Sequence, residues 1–99
     1  MEIRITKATK TDLQFLEHVE KTCFYEYQQS SRKILLTSVI SPAQGTFIAQ
    51  FKEKNKWISA GTLVLHYHKK TLRLYSIAVL PQYQDKHIGK HLIDYTINF

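Results

Sequence analysis

The chain is poor in the residues on which several protein classes depend. Its single cysteine, Cys23, excludes an intramolecular disulfide and favours a reducing, cytoplasmic environment. There is no Cys-x-x-Cys pair and no ordered set of histidine and cysteine ligands, so the sequence predicts no metal site. No apolar stretch is long enough to span a bilayer, and the first residues lack the apolar core of a signal peptide. We therefore expect no membrane partner.

Positive charge exceeds negative charge, but it is not concentrated in one block. The 99 residues include 14 lysines and arginines against 8 acidic residues, which gives a net charge of +6. This balance favours an anionic ligand. The basic residues that do cluster (Lys52, Lys54 and Lys56, and the pair Lys69 and Lys70) fall at expected turns. We therefore expect solvated loops there and no nucleic-acid partner.

The spacing of apolar residues predicts one small domain with the element order β-α-α-β-β-β-α. Thr9 and Asp12 have the spacing of a capping box, and Cys23 continues the apolar face of the helix that follows. Ser30 or Ser31 is expected to cap the second helix. The predicted segments are strand Ile3–Thr6, helix Lys10–Phe24, helix Arg32–Ile40, strand Gly45–Phe51, strand Trp57–His68, strand Leu72–Val79 and helix Gly89–Phe99.

Two strand features carry further expectations. Gly61, inside the long third strand, predicts a β-bulge or a close approach of two backbones. The strand Leu72–Val79 is apolar on both faces, as expected for a central, covered strand, and this places Tyr75 in the packed face of the sheet. The polar turn between the second and third strands contains Asn55.

The segment 79–92 is the most informative part of the chain, because it joins a strand to a helix through a short polar loop. The start of a helix presents unpaired backbone N–H groups and the positive end of the helix dipole, which together suit a phosphate or pyrophosphate. The nearby basic residues Lys86, His87, Lys90 and His91 suit the same anion. The alternative is an ordinary connection between a strand and a helix.

Residues 74–93 resemble the acyl-CoA-binding motif of the GCN5-related N-acetyltransferases, the GNAT family. In that family, the loop Gln/Arg-x-x-Gly-x-Gly/Ala follows a strand that ends in Val-x-Pro. Here Val79 is followed by Pro81, Gln84 fills the first loop position and Gly89 fills the last. His87 replaces the middle glycine, and Asp85 stands where a further glycine is frequent. Glycine permits a positive φ and a close approach of phosphate to the backbone. The replacement by His87 therefore narrows the space that the loop leaves for a phosphate.

The resemblance implies an α/β (α+β) fold with a mostly antiparallel sheet, a partial acyl-CoA N-acyltransferase fold, in which residues 1–99 form a single truncated domain. It implies acetyl-CoA, or another acyl-CoA, as cosubstrate and no metal. The pantetheine arm and the acyl carbonyl would lie against Ile77, Ala78 and Val79. The pyrophosphate would lie on the loop and the helix start: Gln84, Asp85, Lys86, His87, Ile88, Gly89 and Lys90.

The resemblance also implies the chemistry, in which the amine of a small molecule or peptide attacks the thioester directly. The catalytic residues stay open. Tyr75 and Ser76 are candidates, and His66 and His68 are also available, although their alternating spacing fits an exposed strand end better than a metal site. The aromatic segment that includes Phe24, Tyr25 and Tyr27 either lines an acceptor pocket or forms a packed loop.

The elements that complete the family's fold, strand 5 onward, are not found in the sequence. Strand 4 would then be an open apolar edge, so we expect a fragment of a longer domain, a homo-oligomer that covers the edge, or a rearrangement of the C-terminal elements. Two other functions remain open. One is a non-catalytic CoA-binding or regulatory module, and the other is a small basic interaction domain that holds no cofactor.

Overall fold

A four-stranded antiparallel sheet with helices on both faces forms the protein, which we describe from a computed structural model over residues 2–99. The strands lie side by side in chain order, β1-β2-β3-β4. Along the chain, the strands and α-helices follow the predicted order β-α-α-β-β-β-α. Their bounds are β1 Ile3–Lys7, α1 Leu13–Cys23, α2 Arg32–Ile40, β2 Gln44–Glu53, β3 Lys56–Tyr67, β4 Leu72–Val79 and α3 Ile88–Ile97.

The predicted caps are present before the first two helices, but α1 begins at Leu13 and not at the predicted Lys10. Asp12 Oδ2 accepts a hydrogen bond from the Thr9 N–H at 2.8 Å, as in a capping box. Residues 10–12 form a 3₁₀ turn, so the predicted first helix becomes α-helical only at Leu13. The Ser31 hydroxyl accepts a hydrogen bond from the Ile34 N–H at 3.2 Å and caps α2, whose bounds are those predicted.

The predicted turn between β2 and β3 is a tight two-residue hairpin. Lys54 and Asn55 both have positive φ, 51° and 63°, and the flanking residues Glu53 and Lys56 pair with each other. Two successive residues of positive φ define the hairpin turns whose twist matches that of the strands, and asparagine tolerates this conformation well. The hairpin therefore fixes the register of the two central strands.

The two faces of the sheet carry separate cores. The helix α3 packs on one face through Ile88 and Leu92, and neither side chain is exposed to solvent. The helices α1 and α2 pack on the other face and are joined to each other by an ion pair between Glu17 and Arg32. The buried side chains on the α3 face are Phe47, Ala49, Phe51, Ala60, Leu63 and Leu65, and those on the α1–α2 face are Leu13, Leu16, Leu35, Val39 and Ile48.

The strand β4 is an edge strand, which corrects the expectation of a central, covered strand. It pairs with β3 alone, and Leu74 and Tyr75 are 43% and 56% exposed. The placement of Tyr75 in the packed face is therefore wrong. The open apolar edge expected without a fifth strand is present in residues 2–99. Within the same residues, none of the helices combines the length and apolar character that a membrane crossing requires.

Candidate functional site

The outer edge of β4 offers backbone groups to an extended ligand. The Leu80 N–H donates to the Ala60 carbonyl of β3 at 2.8 Å. Because the groups of successive residues alternate in an antiparallel ladder, the N–H and C=O of Ile77 and Val79 point away from β3. We call this row, the outward backbone of residues 77–79, the β4 edge. It is the feature against which the resemblance places a pantetheine arm.

The Val79 carbonyl at the end of this edge is held from two sides. The side-chain amide of Gln84 donates to the Val79 oxygen at 3.2 Å, and the Cys23 thiol donates to it at 3.6 Å. Gln84 therefore ties the loop back to the strand, a structural role within the segment predicted to hold a pyrophosphate. Cys23 is partly buried on α1, as its spacing predicts.

The loop after β4 leads directly into the start of α3. Residues 81–86 form a 3₁₀ segment, His87 follows, and α3 begins at Ile88. The first main-chain bond into the helix runs from the His91 N–H to the His87 carbonyl. Consequently the N–H groups of Ile88, Gly89 and Lys90 have no acceptor within the helix, and they lie where the sequence predicts an anion site.

His87 adopts the left-handed conformation that glycine favours. Its φ is 60° and its ψ is 22°, at the position where the resembled motif has its middle glycine. The side chain is exposed. The backbone of the loop thus keeps the conformation expected of the glycine, although the residue is not glycine. Beside it, the Lys86 ammonium lies 5.1 Å from the centre of the Phe51 ring, and Asp85 is exposed.

A cavity of about 440 Å³ lies between α1, α2 and the sheet, beside β4. We call it the α1–β4 cavity. Both candidate residues, Tyr75 and Ser76, line it, and so does His66. Its other polar lining residues are Glu20, Gln28, Ser30, Ser38, Gln44, Thr46 and Thr62. The chain therefore brings the catalytic candidates together in one cavity next to the β4 edge.

A β-bulge explains why Tyr75 and Ser76 share this cavity. Val64 pairs with Ser76 but Leu65 pairs with Leu74, so Tyr75 is an extra residue in β4. Neighbouring residues of a regular strand point to opposite faces, and a bulge interrupts that alternation. The Tyr75 ring stacks on His66 with 4.2 Å between ring centres and 16° between planes. The bulge thus turns Tyr75 out of the face that its position predicts.

Glu20 is the cavity residue that the sequence interpretation missed. It follows Val19 in α1, at the border of the apolar face. A carboxylate at such a position is ordinarily expected to face solvent. Its Oε1 accepts a hydrogen bond from the Ser30 N–H at 3.0 Å. The signal that could have found it is its position four residues after Leu16, which places both on the same helix face.

Burial and the nearby carboxylate of Glu20 raise the pKa of the Cys23 thiol, burial being the larger cause. The thiol is therefore mostly protonated at neutral pH and is a poor nucleophile. His66 lines the cavity, whereas His68 is exposed beyond the end of β3. Among residues 2–99, no group of three or more histidine, cysteine or acidic side chains is arranged to hold a metal ion.

The aromatic segment between α1 and α2, for which a pocket lining and a packed loop were both open, is divided between the cavity and the surface. Phe24 lines the α1–β4 cavity. Tyr25 and Tyr27 do not line it, stack on each other at 5.9 Å, and are 72% and 84% exposed. The segment between α1 and α2 therefore contributes one aromatic side chain to the cavity and leaves two at the surface.

The sequence profile of the acetyltransferase (GNAT) family matches residues 13–99. The match covers most of the chain, including α1, the sheet strands β2–β4 and the loop before α3. The chain therefore belongs to the GNAT acetyltransferase family, as its loop motif predicts. No curated protein sequence matches it significantly.

Solved structures share the fold at low sequence identity. The ribosomal-protein-S18-alanine N-acetyltransferase of Escherichia coli is 22% identical, with a TM-score of 0.77 over 98% of this chain and 58% of its own. The PaiA N-acetyltransferase of Thermoplasma acidophilum, solved with coenzyme A, is 20% identical, with a TM-score of 0.78 over 99% and 71%. The N-acetylglutamate synthase of Neisseria gonorrhoeae, solved with coenzyme A and N-acetyl-glutamate, is 18% identical, with a TM-score of 0.76 over 99% and 22%.

These likenesses confirm the predicted GNAT fold. The chain spans 58% of the length of the Escherichia coli enzyme. The names of the three proteins point to different acceptors, a ribosomal protein in one case and glutamate in another. A likeness at this level of identity shows the fold and does not identify an acceptor.

Proposed function

We propose that this chain provides the acyl-CoA-binding part of an N-acetyltransferase, within a single partial domain over residues 1–99. The observation that carries the proposal is a juxtaposition. The outward N–H groups of the β4 edge lead directly into the free N–H groups at the start of α3. One acyl-CoA can contact both, because its pantetheine arm is extended and its pyrophosphate is anionic. Membership of the GNAT family supports the same ligand.

The pantetheine arm pairs, as an added strand would, with the outward main-chain groups of Ile77 and with the N–H of Val79. The Val79 carbonyl already accepts from Gln84 and Cys23 and is not used. Ala78, whose side chain packs beneath the edge, keeps that stretch close to α1. The pyrophosphate accepts hydrogen bonds from the N–H groups of Ile88 to Lys90. The exposed ammonium of Lys90, which lies 3.5 Å from the Asp94 carboxylate, is the nearby cation that the proposal assigns to the pyrophosphate. Gln84 fixes the loop by its bond to Val79.

The α1–β4 cavity places an acceptor beside the reacting carbonyl, because Tyr75 and Ser76 immediately precede the β4 edge. In the proposed reaction, the amine nitrogen forms a bond to the acyl carbon and the bond from that carbon to sulfur breaks. The amine loses a proton and the CoA thiolate gains one. A backbone N–H of the edge polarises the carbonyl, and the hydroxyls of Tyr75 and Ser76 are the candidates for proton transfer.

A second function is favoured by one observation, the histidine at the left-handed loop position. The His87 side chain stands where the family motif leaves space for a phosphate. On this alternative the chain is a CoA-binding or regulatory module that binds the cofactor weakly and catalyses nothing.

A thermal shift with CoA tests both functions. A ligand present at 100 times its Kd stabilises the folded state by about 2.7 kcal/mol. We expect the reversal of charge at Lys90 (Lys90→Glu) to weaken this stabilisation. The matched control, Lys33→Glu, lies in the first turn of α2 on the opposite face of the sheet and should leave it unchanged. If CoA produces no shift, both functions fail.

Thiol release from acetyl-CoA in the presence of amines then separates the two functions. Release that depends on the amine supports the transferase. Clear CoA binding without release over a panel of amines supports the module.

We further propose that the β4 edge is covered in the active protein, by a second copy or by a further polypeptide segment, and that the protein is cytoplasmic. The exposed side chains Leu72 and Leu74 support coverage of the edge. Light scattering that finds a stable monomer at high concentration would exclude the second copy.

A further inference from the structure

The charge of the α1–β4 cavity is set by one side chain. Glu20 is the only aspartate, glutamate, lysine or arginine among the described residues that line it. The rest are apolar groups, amides, hydroxyls and the ring of His66. A carboxylate in a cavity of this kind attracts a cation and disfavours an anion. The cavity volume of about 440 Å³ is at the lower end of the range for small-molecule sites.

The carboxylate of Glu20 is positioned by the backbone. Its Oε1 accepts the Ser30 N–H at 3.0 Å, which fixes the side chain against the segment that joins α1 to α2. In residues 2–99 the ion pairs are Arg32 with Glu17 and Lys90 with Asp94, so Glu20 carries its charge without a cationic partner. A positioned, unpaired carboxylate that lines a cavity is suited to bind a positively charged ligand group.

Glu20 also lies close to the β4 edge. Cys23 is one helical turn further along α1, and its thiol contacts the Val79 carbonyl at 3.6 Å. Side chains three residues apart on a helix are neighbours, with about 5–6 Å between their Cβ atoms. The electrostatic effect of Glu20 on the Cys23 thiol agrees with this closeness. A short molecule can therefore reach from Glu20 to the edge.

We infer that Glu20 is the cation-binding residue of the acceptor site, and that the acceptor is a compact amine that carries a second positive charge. This inference rests on the proposed acetyl transfer. The amine that attacks the thioester must be neutral at that moment, so an ammonium held by Glu20 is a different group of the same molecule. Short diamines have this form, whereas an acceptor with a carboxylate near its amine meets repulsion from Glu20.

Amine binding to the CoA-free chain tests the inference without any need for turnover. The probe is 1,4-diaminobutane, followed by the NMR signal of the Ser30 amide, which donates to Glu20. We expect a saturable shift of this signal in the wild type. In Glu20→Gln the affinity for the diamine should be at least tenfold lower, equivalent to about 1.4 kcal/mol. The glutamine keeps an oxygen acceptor for the Ser30 N–H, so the fold is retained, and a melting curve checks this.

The matched control is Glu26→Gln, which removes the same charge from an exposed residue that does not line the cavity and should bind the diamine as the wild type does. Glutamate is the second probe and should produce no saturable shift. Equal affinity of the wild type and Glu20→Gln for the diamine, or binding of glutamate as tight as that of the diamine, would overturn the inference.

Thiol release distinguishes this failure from failure of the proposed function. Acetyl-CoA turnover with 1,4-diaminobutane should exceed turnover with n-butylamine, which has one amine only. If glutamate is acetylated at the same rate as the diamine, the proposed transferase is supported and the role assigned to Glu20 is wrong. If the diamine binds through Glu20 and no amine releases thiol, the cation site stands and the transferase is wrong.

Discussion

Replacement of His87 by glycine should stabilise the protein. His87 holds a φ of 60° with an exposed side chain, so its backbone is strained and its imidazole contributes little packing. An L-residue in the left-handed region is disfavoured by about 1–2 kcal/mol, and glycine carries no such cost. Glycine in turn has more freedom in the unfolded chain, which costs roughly 0.5–1 kcal/mol relative to alanine. The difference favours His87→Gly by about 0.5–1 kcal/mol.

Thermal unfolding measures this difference directly. For a domain of this size, about 1 kcal/mol shifts the midpoint by roughly 4–8 °C, so His87→Gly should raise Tm by about 2–8 °C. His87→Ala keeps a Cβ at the strained position and loses only the exposed ring. It should therefore differ from the wild type by less than about 0.5 kcal/mol.

Asp85→Gly is the control for glycine itself. Asp85 lies in the same loop but is not among the residues of positive φ. The change introduces the entropy cost without any relief of strain and should lower stability by about 0.5–1 kcal/mol. If His87→Gly melts below the wild type, as Asp85→Gly should, the left-handed position is not strained and the reasoning fails.

Two further changes test the packing beneath the site. Gly61→Ala should destabilise by about 1–3 kcal/mol, because a Cβ there would lie 2.7 Å from the Ala78 carbonyl oxygen. Gly89→Ala should be neutral or stabilising, because its Cβ would lie 3.9 Å from the nearest atom. If urea unfolding finds Gly89→Ala less stable than Gly61→Ala, the placement of β4 is contradicted. Because burial and Glu20 raise the pKa of the Cys23 thiol, Cys23 should react with iodoacetamide at pH 7.5 more slowly than in the unfolded chain, and Glu20→Gln should speed the reaction. Because the thiol pKa is higher in the folded state, the free energy of unfolding is unaffected below the ordinary thiol pKa and falls as the pH rises above it. Cys23→Ser should remove this decline, which equilibrium unfolding at several pH values would detect.

The local elements could be predicted from the sequence because their signals are local. The cap at Ser31, the turn at Asn55 and the apolar spacing of α1 each depend on a few neighbouring residues. Gly61 predicted a bulge or a close approach, and both are present. Ala60 beside it is the unpaired residue of the bulge, and a Cβ on Gly61 would collide with the backbone of β4. The loop motif at 84–89 predicted the family.

The site could be predicted only in part, because it depends on the register between strands. Tyr75 was expected in the packed face from regular alternation along β4. The bulge between the pairs Val64–Ser76 and Leu65–Leu74 reverses that expectation, and the residues that cause it are spread over two strands. Glu20 was missed for a similar reason. A carboxylate at the border of the apolar face of a helix is expected to face solvent. Only the packing of α1 beside β4 shows that it lines a cavity.

The left-handed conformation of His87 indicates how this loop keeps its shape without a glycine at position 87. The loop is fixed at both ends: the Leu80 N–H bonds to Ala60 before it, and Ile88 is fully buried after it. Between them, Gln84 binds back to the Val79 carbonyl. With both ends fixed, the chain must turn sharply to enter α3, and His87 absorbs the turn at the cost of strain. The start of α3 therefore presents its N–H groups because the core holds the helix in place. Loosening that anchor with Ile88→Ala should accordingly weaken CoA binding more than removal of the His87 side chain does, an order that CoA titration of the two variants can decide.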